Sequence, residues 1–212
     1  MKVDKKSMLL YAVTDRTWLG EELLEKQVEK AIQGGITFLQ LREKALAHKP
    51  FVKQALEIKR VTDDYKIPFV INDNVEVALE VDADGVHIGQ QDGSVKTIRE
   101  VLGKEKILGV SVQTVEQAVA AEKDGADYLG VGAVFSTSTK LDVKTMSLEI
   151  LKNICEAVNI PVVAIGGISQ KNLLDLKGSG IDGIAVVSAI FSQKDIETAT
   201  QKLYEAAKEV IG

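Results

Sequence analysis

Two carboxylates stand just beyond short apolar runs, Asp73 in Ile71-Asn72-Asp73-Asn74 and Asp92 in His87-Ile88-Gly89-Gln90-Gln91-Asp92. A pair of this kind suits a hard cation. Magnesium takes a few carboxylates, keeps several waters and completes its octahedron with substrate phosphate oxygens, so Asp73 and Asp92 suffice without a full protein cage. Alone, Asp73 also fits an Asx-type loop or a helix cap. Another apolar run leads into Gln40-Leu41-Arg42-Glu43-Lys44, where Arg42 and Lys44 share one side of an extended segment and suit an anion. A solvated charge cluster is the competing reading. Ser111 follows Gly109-Val110, and Phe135-Ser136-Thr137-Ser138-Thr139-Lys140 is a hydroxyl-rich stretch ending in a cation. Hydroxyls, amides and an ammonium together can wrap phosphate oxygens, although a low-complexity surface loop has the same composition. Gly166-Gly167 and Val187-Ser188 close two further runs, and glycines let backbone N–H groups approach an anion. His87 has no second histidine nearby and reads as a packed strand residue rather than a catalyst. The set implies a magnesium and Lys/Arg site for a diphosphate, a neutral glycine-rich site for a monophosphate, and two phosphorylated substrates.

These residues converge only if the chain is folded so that strand ends meet. Eight short runs, each nearly continuous in apolar residues, alternate with longer amphipathic stretches: Met8–Val13, Phe38–Leu41, Phe69–Ile71, Gly85–Ile88, Ile107–Val112, Tyr128–Phe135, Val162–Ile165 and Ile184–Val187. Between them, Glu22–Ile32 places Leu24, Val28, Ala31 and Ile32 on one helical face, and Leu148–Val158 does the same with Leu148, Leu151, Ile154, Cys155 and Val158. Thr114 with Gln117 forms a capping box, Ser169 can cap a helix beginning near Gln170, and Gly34, Gly125 and Gly180 close helices. Three joints look alike, Ala83-Asp84-Gly85-Val86, Ala126-Asp127-Tyr128-Leu129 and Ile181-Asp182-Gly183-Ile184, as expected of a βα unit used repeatedly. Eight such units in 1–212 without a linker predict one α/β domain, a (β/α)8 TIM barrel, near the lower end of the roughly 200 to 400 residues usual for it. An open flavodoxin-like sheet would need only about five strands. In the barrel the polar residues named above all lie at the C-terminal strand ends, where active sites of this fold are built.

Composition narrows the function classes. A chain of 212 residues with 45% hydrophobic residues and net charge −5 offers no general attraction for nucleic acid or anionic lipid, so phosphate recognition must be local. The single cysteine, Cys155, excludes an intramolecular disulfide and reads as core; with only two separated histidines there is no soft-ligand set for zinc or iron. The first apolar run is far shorter than a membrane span and no cleavage-site pattern follows it, so a cytoplasmic setting is expected, with no membrane or nucleic-acid partner. Symmetry base rates make a homo-oligomer the expected assembly.

Over essentially its whole length the chain resembles the thiamine phosphate synthase (thiamine-phosphate pyrophosphorylase) family. The resemblance rests on Gln40-Leu41-Arg42-Glu43-Lys44, Ile71-Asn72-Asp73, Gly85-Val86-His87-Ile88-Gly89-Gln90-Gln91-Asp92, Gly109-Val110-Ser111, Thr137-Ser138-Thr139-Lys140, Gly166-Gly167-Ile168 and Val186-Val187-Ser188, in order. It implies a transferase joining hydroxymethylpyrimidine diphosphate to a thiazole bearing a phosphorylated hydroxyethyl group, or its carboxylated form, with release of diphosphate and formation of thiamine phosphate. Carried over, Gln40, Leu41, Arg42, Glu43, Lys44, Asn72, Ser111 and Lys140 would contact the pyrimidine diphosphate, with Arg42, Lys44, Ser111 and Lys140 serving catalysis. Asp73 and Asp92 would hold one magnesium ion per subunit, while Thr137, Ser138, Thr139, Gly167, Val187 and Ser188 would bind the thiazole phosphate. The aminopyrimidine releases electrons into its methylene carbon, so diphosphate leaves first and the thiazole nitrogen attacks the resulting cation. Ala133 stands where the family commonly carries proline. A thiazole tautomerase paralogue shares the thiazole-phosphate site without needing magnesium and diphosphate binding, and a non-catalytic precursor-binding barrel would use the same residues. The joint presence of Asp73, Asp92, Lys44 and Lys140 favours the synthase.

Overall fold

The computed structural model describes residues 3–136 and 145–211. Eight strands, β1 (Leu10–Val13), β2 (Phe38–Leu41), β3 (Phe69–Asn72), β4 (Gly85–Ile88), β5 (Ile107–Val112), β6 (Tyr128–Gly132), β7 (Val162–Ile165) and β8 (Gly183–Val186), pair in parallel in sequence order, and β8 closes on β1. Around them run α1 (Leu24–Gln33), α2 (His48–Tyr65), α3 (Val75–Glu80), α4 (Val95–Leu102), α5 (Val115–Lys123), α6 (Leu148–Ala157), α7 (Ser188–Phe191) and α8 (Ile196–Ile211). The closed order gives the (β/α)8 barrel and excludes the open sheet.

Pleating explains why the strands read as continuous apolar runs. Outward residues such as Leu39, Leu41, Ile71, Val86 and Leu108 pack with the helix faces in one cluster, to which Leu24, Val28, Ala31 and Ile32 contribute as the periodicity predicts. Inward residues Tyr11, Val13, Phe38, Val70, Ile107, Tyr128, Val163 and Ala185 form a second cluster that fills the barrel.

At the N-terminal rim the three similar joints have one physical role. Asp84, Asp127 and Asp182 accept the backbone N–H of Phe69, Leu108 and Val162 at 2.7, 2.8 and 2.9 Å, each near the start of the preceding strand. Thr37 Oγ1 does the same for Leu10 at 2.9 Å, so all four odd-numbered strands are tied this way.

Several boundaries differ from the sequence reading. β6 ends at Gly132 rather than Phe135, although Val134 and Phe135 still donate to the carbonyls of Ile165 and Gly166 at 3.0 Å. The helix expected near Gln170 is only a 3-10 turn, Leu173–Leu176. There Asn172 accepts the Ser169 N–H at 2.8 Å and donates to the Gly167 carbonyl at 2.9 Å, which ties the start of the segment to the loop after β7, and Gly178 and Gly180 then take positive φ and end it. Thr114 does cap α5, accepting the Gln117 N–H at 3.2 Å, while Gln117 reaches back to the Gln113 N–H at 2.8 Å. Cys155 is half-buried; burial, helped by the charge of Asp182, pushes its thiol up to about 12, so it is no nucleophile at neutral pH. Leu148, expected on the buried face of α6, is 41% exposed. No helix among the described residues is long and apolar enough to cross a membrane.

Candidate functional site

A cavity of about 450 Å³ opens at the C-terminal end of the barrel. Its wall is built by the last inward position of each strand, and those positions differ around the ring. On β2 to β5 they are Gln40, Asn72, His87 and Ser111, all polar; from β6 round to β1 they are Gly132, Ile165, Ala185 and Val13. The register sets Asn72 beside His87, Gly132 beside Ile165 and Ile165 beside Ala185, so the polar and apolar halves are each contiguous.

The polar half continues into the loops. Lys44 is ion-paired with Asp73 across the ends of β2 and β3. Asp73 takes φ +60, a left-handed conformation that Asp tolerates better than most residues. Burial raises its carboxyl, but the hydrogen bond and charge of Lys44 lead the influences that outweigh burial and hold it below the usual carboxylate range. Asp92 is exposed and accepts the Gly89 N–H through Oδ2 at 2.7 Å. Asn72 Nδ2 is buried without a hydrogen-bond partner among the described residues, a donor whose desolvation costs about 1–3 kcal/mol until an acceptor arrives. Arg42 reaches the same wall, its Nη1 2.8 Å from Asp15 Oδ2.

Leu41 and Glu43 are not brought into this wall. They occupy the alternate positions of the same segment: Leu41 is fully buried in the outer core, and Glu43 turns to Arg16, which donates to both its oxygens at 2.8 and 2.9 Å. Burial raises the Glu43 carboxyl above its usual range despite that partner. The motif thus splits by strand alternation into Gln40, Arg42 and Lys44 inside and Leu41 and Glu43 outside.

The barrel interior holds two groups that the sequence reading passed over. Tyr11 and Tyr128 are fully buried with their hydroxyls 2.8 Å apart, and Gln40 Nε2 donates to Tyr11 Oη at 2.5 Å. Tyr128 Oη is 2.9 Å from His87 Nδ1, and His87 Nε2 is 2.9 Å from Ser111 Oγ. Gln90, from the loop after β4, donates to the Ser111 carbonyl at 2.7 Å. The available signal was a tyrosine inside an otherwise apolar strand, since a buried phenol needs a partner. Gly109 gives the Tyr128 ring its space: a Cβ there would lie 2.2 Å from Tyr128 Cζ.

On the other half, Gly167 takes φ +65, and a Cβ there would lie 2.3 Å from the Ser136 carbonyl oxygen. The glycine is required by the close approach of the segment after β6. Val187 and Ser188 line the cavity where α7 begins. Thr137, Ser138, Thr139 and Lys140 lie outside the described residues. Among the described residues no group of three or more His, Cys, Asp or Glu could hold a metal ion. A protein cage therefore does not fit, whereas Asp73 and Asp92 fit a hard ion that keeps waters and takes phosphate oxygens.

The profile of a family described as thiamine monophosphate synthase matches residues 10–190. The thiamine-phosphate synthase of Ruminiclostridium cellulolyticum is 53% identical over 196 residues, covering 92% of this chain and 93% of that one. That of Clostridium acetobutylicum is 49% identical over 200 residues, covering 94% and 95%. Among solved structures, thiamine phosphate pyrophosphorylase from Pyrococcus furiosus matches with a TM-score of 0.90 at 39% identity, covering 98% of this chain and 99% of that one. KGPDC from Streptococcus mutans, at 13% identity and a TM-score of 0.66 over 97% of this chain and 100% of that one, shares the barrel alone.

Proposed function

Because the chain belongs to the thiamine monophosphate synthase family and is an enzyme that forms thiamine phosphate, we propose that the two halves of its barrel mouth each seat one substrate. The polar half, from β2 to β5, takes the pyrimidine diphosphate: Gln40 and Asn72 meet the ring, and Arg42, Lys44 and Ser111 meet the diphosphate. Asp73 and Asp92 hold one magnesium ion, which when bound supplies countercharge to the departing diphosphate. The other half takes the thiazole phosphate on the backbone of Gly167 and the first amides of α7 at Val187 and Ser188, which have no intrahelical acceptor. By family resemblance Thr137, Ser138 and Thr139 join that phosphate, and Lys140 joins the diphosphate.

The reaction breaks the bond between the pyrimidine methylene carbon and the diphosphate oxygen, the electron pair leaving with oxygen. Lys44, Arg42 and the Ser111 hydroxyl are aimed at the charge that grows there, and charge developing on a leaving group is where fixed cations and donors lower a barrier. The ring amino group feeds electrons to the methylene carbon. Val13, Ile165 and Ala185 face that carbon with an apolar wall that keeps water away. The thiazole nitrogen, held opposite, then gives its lone pair to form the new carbon–nitrogen bond.

The observation behind this reading is the division of the cavity wall into one polar and one apolar half. It is tested by diphosphate release from purified protein given both precursors, with and without magnesium, and with the thiazole phosphate omitted. Release that needs magnesium and yields thiamine phosphate is expected. Binding of both precursors without release would overturn the proposed mechanism.

A further inference from the structure

Five side chains from five strands form one unbroken hydrogen-bonded series through the barrel: Gln40 on β2, Tyr11 on β1, Tyr128 on β6, His87 on β4 and Ser111 on β5. Each tyrosine has one hydrogen to give, and a neutral imidazole has one N–H. Burial, only partly offset for Tyr11 by its bonds to Tyr128 and Gln40, pushes both phenols far above their usual range, so neither loses its hydrogen. The series therefore has two polarities. When Gln40 donates Nε2–H to Tyr11, Tyr11 donates to Tyr128 and Tyr128 to His87 Nδ1. The imidazole then carries its hydrogen on Nε2 and donates to Ser111 Oγ, which leaves the Ser111 hydrogen free to point into the cavity. When Gln40 turns its oxygen to Tyr11, every bond reverses and the Ser111 hydrogen is spent on His87 Nε2.

Gln40 lines the cavity, so the amide atom not used by Tyr11 is the one offered to a ligand. With Nε2 on Tyr11 that atom is Oε1, an acceptor, and an aminopyrimidine offers it an amino N–H. We propose that the series couples recognition of the substrate's amino group to departure of its diphosphate: an amino N–H on Gln40 Oε1 locks the amide, and the ordered series leaves the Ser111 hydroxyl free to donate a hydrogen bond to the departing diphosphate oxygen. This rests on the seating of the pyrimidine diphosphate against β2 to β5. Tyr11, Tyr128 and His87 are then positioning residues that act through Ser111. The glycines opposite agree with a fixed arrangement, since a Cβ at Gly130 would lie 3.1 Å from His87 Cε1 and one at Gly109 would strike the Tyr128 ring.

The chain has two histidines, so nitrogen-15 imidazole spectra of the His48→Gln protein report His87 alone. With pyrimidine diphosphate and magnesium added and thiazole phosphate withheld, the expected tautomer carries hydrogen on Nε2; hydrogen on Nδ1 overturns the inference. Tyr128→Phe keeps the ring and removes the hydrogen given to Nδ1. It is expected to lower kcat about tenfold or more with KM for the pyrimidine diphosphate within about twofold. In a Ser111→Ala background the same substitution is expected to change kcat by less than about twofold, because its route is already cut. Equal losses in both backgrounds overturn the inference and leave the site assignment standing, whereas wild-type turnover by Ser111→Ala sinks both. The spectrum needs no variant of Tyr128 and decides the matter where that variant fails to fold.

Discussion

Asp15 Oδ2 lies 2.8 Å from Arg42 Nη1, so the cation proposed for the diphosphate reaches the barrel mouth already held by the segment after β1. The other oxygen of Asp15 accepts the Thr17 N–H at 2.9 Å and caps the 3-10 turn Arg16–Trp18, from which Arg16 holds Glu43. Two ion pairs thus lace the first strand end to the second. Asp15→Asn keeps an acceptor for the cap and removes the charge that orients Arg42. It is expected to raise KM for the pyrimidine diphosphate about threefold to tenfold with little change in kcat. Added to Arg42→Ala it should cost nothing further, and initial-rate kinetics on the double-mutant cycle check this; additive losses would show that Asp15 acts by another route.

Asp73 and Asp92 allow the metal assignment to be tested without disturbing the backbone. Asn tolerates the left-handed φ of Asp73 and can still accept the Gly89 N–H in place of Asp92. Asp92→Asn should raise the magnesium concentration for half-maximal rate about tenfold, and Asp73→Asn, which also frees Lys44, about a hundredfold. Magnesium titrations of diphosphate release measure both. Unchanged magnesium dependence in the two variants would move the ion elsewhere.

Gly167 sits between the cavity half proposed for the thiazole phosphate and the segment after β6. An alanine there meets both the positive φ and the Ser136 carbonyl, so the segment must shift. Gly167→Ala is expected to cost about 1–3 kcal/mol of stability and to raise KM for the thiazole phosphate more than about tenfold, while KM for the pyrimidine diphosphate changes little. Urea unfolding and two-substrate kinetics separate the effects, and equal loss for both substrates would count against the division of the cavity.

The barrel was legible because strands covered on both faces leave continuous apolar runs, four of which, such as Phe38–Leu41, match the observed strands end to end. The residues that line the cavity from the strand ends were legible for the same reason: Gln40, Arg42 and Lys44, or Asn72 and Asp73, break those runs with polar groups. What alternation decides inside a motif was less visible. Leu41 and Glu43 sit among the cavity-lining residues in sequence but face outward in space. The partners of Tyr11, Tyr128 and His87 lie 24 to 117 residues apart along the chain, and Tyr11 on β1 meets Tyr128 on β6 only across the interior of the closed barrel. The three Asp joints repeated visibly, yet their task of tying the preceding strand depends on the parallel pairing that sets each joint beside that strand.

Glu43 provides a prediction about pH. Burial raises its carboxyl, and the hydrogen bonds and charge of Arg16 do not fully offset that, so the group titrates above the ordinary carboxylate range in the folded chain. Between the unfolded value, about 4.3, and the raised folded one, the native state binds more protons than the unfolded state. By linkage, stability from this group falls as pH rises across that window; it is fully present below the unfolded value and lost above the folded one. Glu43→Gln removes the titration, and Arg16 keeps Gln54 Oε1 at 2.9 Å, so no buried charge is stranded. The stability of wild type relative to Glu43→Gln should therefore be most favourable near pH 4 and decline toward neutral pH, as read from urea midpoints at a series of pH values. A difference that grows with pH would mean that the Arg16 pair outweighs burial, and that the segment after β1 holds β2 by charge rather than by packing.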